Sequence, residues 1–236
     1  MKQSSFLILI LALVLHSCST ETKKSLAASD ELKKYILERY QTSDVTATIG
    51  KTFKNGKTES TFEISVGKST LIDNSKSDPE QFASDIALRL YSSLDQTERR
   101  KYDIFAVRIT KKNRTTEIRY PNNSLQEATN NLTWLEGYFL LIDDKEYENA
   151  KLQFDPGVDT ASLDLKTLYE TLSNRFGELK NRDLQSFTIG ETQMNGKTVR
   201  AMKATYILFY EKHYLLTHYI LLMDKPGRKL TAIDVE

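Results

Sequence analysis

Cys18 is the only cysteine among 236 residues, and it closes the segment Leu15-His16-Ser17-Cys18 behind an apolar run from Phe6 to Leu15. A lone thiol can form neither an internal disulfide nor a thiolate metal site within one chain, so each core must hold by packing alone. Beyond that segment the chain holds two histidines, His213 and His218. If both lie in one strand, their spacing sends them to opposite faces and they cannot share a metal. Glu211 and His213 could share a face as an acid–base pair; the plainer reading is a solvated strand end or turn. Asp143-Asp144 and Asp155 lack the spaced acidic loop and terminal Glu that calcium requires, which leaves them as helix-end charges. No Gly-rich phosphate loop, Gly-x-Ser-x-Gly elbow or His-Glu-x-x-His is present. The expectation is therefore no catalytic residue, no metal and no cofactor.

The apolar run before Cys18 makes about 15 Å of helix, half of a hydrocarbon core of roughly 30 Å. With Lys2 ahead of it, residues 1–17 read as a signal peptide. An ordinary secretory peptide with Cys18 merely near the cleavage site is the competing reading. Leu15-His16-Ser17-Cys18 resembles the lipobox of bacterial lipoproteins: an aliphatic residue, a permissive position, a small residue, then cysteine. That resemblance implies a diacylglyceryl thioether at Cys18, an acylated new amino terminus and a lasting hold on a bilayer. Ser19 takes the place of the aspartate that retains such proteins at the inner membrane. The resemblance thus implies the cell envelope, with the outer membrane favoured over the inner.

The elements that would hang from this anchor form an α+β chain of two modules. Residues 18–28 are polar and lack apolar periodicity, so they read as a lipidated tether. Formal charge is +1 and the signs are mixed along the chain, which argues against a nucleic-acid partner. In residues 29–121, Leu32, Tyr35, Ile36 and Tyr40 give a helical stripe after Ser29-Asp30-Glu31. Asn55-Gly56 marks a hairpin that sets Ile49 against Phe62, Ala47 against Ile64 and Val45 against Val66. Asp78 and Pro79 open a second helix, with Phe82, Ile86, Leu90 and Leu94 on its inner face. Strands follow at Tyr102 to Ile109 and Thr115 to Tyr120. This αββαββ order suggests an antiparallel sheet. The basic stretches Arg99-Arg100-Lys101 and Lys111-Lys112-Asn113-Arg114 could meet anionic headgroups; solvated helix and hairpin ends are the plainer reading.

Residues 122–236 open with Ser124 and Glu127 as a capping box and the stripe Leu125, Ala128, Leu132, Leu135, Phe139. A short helix is expected over Asp144 to Leu152, and a third from Ser162, with Leu165, Tyr169 and Phe176 inward and Gly177 closing it. Strands are expected at Leu184–Glu191, Val199–Tyr210, Tyr214–Met223 and Leu230–Val235, turned at Asn195-Gly196 and Pro226-Gly227. The apolar stretch Tyr206 to Met223 is interrupted by Glu211, Lys212, His213 and His218, which fits two strands better than a membrane span. Asn-Gly-Lys-Thr recurs at Asn55 and Asn195; a common hairpin tip explains this more simply than a duplication.

The long helix, Glu146-Tyr147-Glu148-Asn149-Ala150, Phe176-Gly177 and the strand meander together resemble the cystatin-like and nuclear transport factor 2-like superfamily. The similarity is to its uncharacterised secreted bacterial members. It implies helices packed on a curved four-stranded antiparallel sheet, often with a pocket between, and it carries over no catalytic residue. Three functions compete. The first is a non-enzymatic, membrane-anchored lipoprotein that binds an envelope protein or helps assembly. The second is a pocket for a small apolar or envelope-derived ligand, with Trp134, Tyr138 and Tyr169 as candidate lining. The third is an enzyme using Glu211 and His213.

Overall fold

A computed structural model describes residues 30–236 except Asn55, residues 161–162, Asn195, residues 224–226 and Arg228. The signal segment, Cys18, the tether and Ser162 lie outside the described residues. The chain divides into two compact units. One takes residues up to Pro79 with Ile86–Asn122, and the other takes Glu80–Asp85 with Asn123–Glu236. Each holds one four-stranded sheet and helices, so the class is α+β.

In the first unit, helix α1 covers residues 30–40 and buries Leu32, Ile36 and Tyr40, one residue per turn along a single face. Strands β1 (Val45–Lys54) and β2 (Lys57–Val66) pair antiparallel in the expected register, with Val45, Ala47 and Ile49 opposite Val66, Ile64 and Phe62. Gly56 adopts φ +75°, the left-handed conformation this tight hairpin requires. Phe62, Ile64 and Val66 are buried, while Ile49 is half exposed because β1 is an edge strand.

The connection after β2 contains three helices. α2 (Thr70–Asn74) is capped by Ser69, whose Oγ accepts from the Ile72 amide. α3 (Pro79–Ser93) follows Asp78, which is the N-cap residue but makes no side-chain cap hydrogen bond. α4 (Gln96–Arg99) is capped by Asp95. α2 and α4 span barely one turn, too short to print a helical period on the sequence.

β3 (Ile104–Lys111) then returns parallel to β2, and β4 (Arg114–Pro121) pairs antiparallel with β3. The expectation of an antiparallel sheet is corrected here. A helix-bearing connection between neighbouring strands is long enough for a crossover, and a crossover reverses the direction that a hairpin would give. Tyr91 of α3 meets Phe105 of β3 edge-on at 5.4 Å, and Tyr102 bridges Phe62 and Phe105 at 5.1 and 5.8 Å.

Helix α5 (Asn122–Asp143) begins directly after β4, two residues before the expected capping box. Asn122 fixes that start by donating its side-chain amide to the carbonyls of Arg99 and Tyr102. Ser124 thus lies inside the helix, and Glu127 pairs with Arg200 at 2.6 Å instead of closing a box. In the second unit the buried face of α5 includes Leu125, Ala128, Leu132, Leu135, Tyr138 and Phe139.

Lys145, at φ +60°, separates α5 from α6 (Tyr147–Lys151), which is shorter than expected for that reason. α7 (Leu165–Phe176) is capped by Asp164, whose carboxylate accepts from the Thr167 amide at 2.9 Å and hydroxyl at 2.6 Å. β5 (Leu179–Met194), β6 (Lys197–Tyr210), β7 (Tyr214–Leu222) and β8 (Leu230–Val235) form an antiparallel meander in that order. β5 starts earlier than expected and carries register shifts at Leu179/Asn181 and Leu184/Ser186. Phe139 packs edge-on against Tyr206 at 5.2 Å and Tyr219 at 5.1 Å, which seats α5 on this sheet. The stretch from Tyr206 to Leu222 is the β6–β7 pair, and no described helix is long and apolar enough to cross a membrane.

Candidate functional site

A cleft of about 760 Å³ opens within the second unit, between the end of α5, α6, the last turns of α7 and the start of β5. Its floor is an ion pair that two elements must meet to form. Asp143 ends α5, and Arg182 stands near the start of β5. The guanidinium donates to both carboxylate oxygens, one of them at 2.8 Å. It also lies over the Phe139 ring at 4.7 Å. This two-pronged geometry is specific to arginine. Arg182 keeps only 16% of its side-chain surface and Asp143 keeps 47%, so the pair is anchored from inside and reached from outside.

Tyrosines surround the pair. Tyr138, Tyr169, Tyr206, Tyr210 and Tyr219 are all buried. The Tyr138 and Tyr169 hydroxyls stand 3.5 Å apart. Burial pushes the phenol of Tyr210 up to about 12, raises that of Tyr169, and lifts those of Tyr138, Tyr206 and Tyr219 well above their ordinary value. These groups therefore stay neutral at physiological pH. At the mouth, the half-buried ring of Tyr147 lies nearly parallel to Tyr169, with centroids 6.4 Å apart and planes at 11°.

The charges of the cleft balance. The lining carboxylates are Glu136, Asp143 and Glu178, and the lining cations are Lys145, Lys180 and Arg182. Lys180 bridges Glu178 at 2.5 Å and Glu211 at 3.0 Å. Its hydrogen bond to Glu178, then that to Glu211, raises the ammonium pKa, while the Lys180 bond lowers that of Glu211. Ser173, Asn174 and Asn181 add neutral polar groups to the lining.

Of the three residues expected to line a pocket, Tyr169 does so. Tyr138 lies behind it in hydroxyl contact, and Trp134 is half-buried elsewhere on α5. Glu211 and His213 fall in the β6–β7 turn, both exposed, with different partners. Glu211 holds Lys180, and the His213 ring stacks on Phe176 at 5.0 Å and Tyr214 at 5.6 Å. His218 is buried in β7 between the Thr205 hydroxyl at 3.0 Å and the Glu236 carboxylate at 3.2 Å. Asp155 is buried and accepts from the Gly157 amide.

Three of the six basic side chains in these stretches of the first unit, those of Arg99, Lys101 and Lys111, are engaged in structure. Lys111 donates to the carbonyls of Ser75 and Ser77, Arg99 covers the Tyr91 ring at 4.4 Å, and Lys101 pairs with Glu98 at 2.7 Å. Although β5 begins at Leu179, the residues before Leu184 lack the alternation that identifies a strand, so no sequence signal marks Arg182. Its partner Asp143 is far away in the chain, and no local spacing announces the pair.

Comparison with protein-family models, with curated proteins and with solved structures finds no match.

Proposed function

We propose that the chain is a non-enzymatic, membrane-anchored envelope lipoprotein whose second unit binds a ligand in the Arg182 cleft. The observation that carries this reading is the cleft itself. Its volume of about 760 Å³ lies within the roughly 300–1,000 Å³ typical of small-molecule sites. Convergent polar groups and a partly covered ion pair sit at its floor. The order α5–α6–α7 followed by the β5–β8 meander supports placing this unit with the cystatin-like and nuclear transport factor 2-like proteins. Their helices and sheet commonly enclose a pocket. The anchor is the lipid on Cys18, and the outer membrane is the favoured address. Glu211 is committed to Lys180 and the His213 ring is stacked between aromatics, which favours binding over catalysis. The polar lining favours a polar ligand over the apolar one suggested by Trp134, Tyr138 and Tyr169.

The experiment compares thermal unfolding of the full chain and of Ser173→Trp, which fills the cleft, with and without a small-molecule fraction of envelope extract. A ligand at about 100 times its Kd stabilises the folded form by about 2.7 kcal/mol. The wild type is expected to rise by several degrees and Ser173→Trp to stay in place. An equal rise in both, or none in the wild type, overturns the reading.

A further inference from the structure

The ligand class follows from what the cleft presents, and this step rests on the reading that the cleft binds a ligand. We infer that the site takes a neutral saccharide. An anionic ligand gains most from a desolvated, uncompensated cation, but Arg182 already holds Asp143, Lys180 holds Glu178 and Glu211, and Lys145 is solvent-exposed. Three lining carboxylates offset three lining cations, so the lining carries no net charge to select an ion of either sign. An apolar ligand would strand these same charges and amides without partners. A neutral polyol needs neither sacrifice. Two of the five guanidinium donors face Asp143, and the remainder can point to hydroxyls. Asn174 and Asn181 each offer a donor and an acceptor side by side, which matches a pair of neighbouring hydroxyls. The Tyr147 ring provides a flat apolar face for the C–H surface of a sugar ring. The cleft is open, so a chain longer than one sugar can extend beyond it.

The test is calorimetric titration of the full chain with glucose, galactose, mannose and N-acetylglucosamine, with their neutral trisaccharides, and with the 6-phosphate of the best monosaccharide. At least one neutral sugar is expected to bind at roughly millimolar Kd or tighter, and Tyr147→Ala to weaken it about tenfold. Asn181→Leu should weaken it with an unchanged unfolding midpoint, which separates lost contacts from lost folding. Phe53→Ala, exposed on the first unit, should leave binding intact. No binding across the panel, while envelope extract still stabilises the wild type but not Ser173→Trp, overturns the saccharide and spares the cleft. Failure of both removes the binding reading as well. Tighter binding of the phosphorylated sugar than of its parent contradicts the neutral-ligand argument.

Discussion

Gly177 ties the end of α7 to the cleft wall. Its amide donates to the Ser173 carbonyl, and its backbone sits at φ +87° and ψ −165°, a region almost closed to other residues. A Cβ there would stand 2.5 Å from Glu211 Oε2 and 2.8 Å from Glu211 Cβ. Gly177→Ala is therefore expected to cost about 1–3 kcal/mol. Gly190→Ala, with open space at its Cβ position, serves as the neutral control. Urea unfolding of the two variants checks this; equal midpoints would contradict it. Residues of this kind were partly legible. Phe176-Gly177 advertised a helix end, since glycine is the usual answer to a left-handed terminus. The Arg182–Asp143 pair was not legible, because an ion pair between distant elements exists only once the fold brings them together.

The parallel pairing of β2 and β3 is held at its start by side-chain hooks. The Asp103 carboxylate accepts from the Ser60 amide and hydroxyl, both at 2.8 Å, and the Ser60 carbonyl accepts from the Asp103 amide. These bonds hold the Asp103 carboxyl below its ordinary value, the Ser60 amide contributing most. A carboxyl depressed in the folded chain contributes stability above the ordinary carboxylate range and loses it as pH falls through that range. Asp103→Asn should therefore be less stable than wild type near neutral pH, with a smaller gap at about pH 3, below the ordinary carboxylate value. Urea midpoints at the two pH values test this, and a gap independent of pH would contradict it. Elements with strong periodicity or a defined turn were readable in advance, including the β1–β2 register and β8. Parallel pairing was missed because strand direction is set by the path of the connection, which periodicity does not encode. The start of α5 was missed because Asn122 is held by carbonyls of a different segment.

At the scale of the whole molecule, the second of the two α+β units carries the candidate ligand cleft. The lipid proposed at Cys18 would keep that cleft near a bilayer. Growth with an alkyne fatty acid should label the wild type and leave Cys18→Ala unlabelled; label on the variant would end the anchor reading. The α+β class was legible from alternating patterns, whereas ligand chemistry depends on which charges meet, and that required the fold. Hydrogen–deuterium exchange of the full chain with the small-molecule envelope fraction tests the cleft most directly. The expected result is new protection confined to residues 142–147 and 173–182, with the β1–β2 hairpin unchanged. Protection absent there, or found only in the first unit, would contradict a ligand site at Arg182.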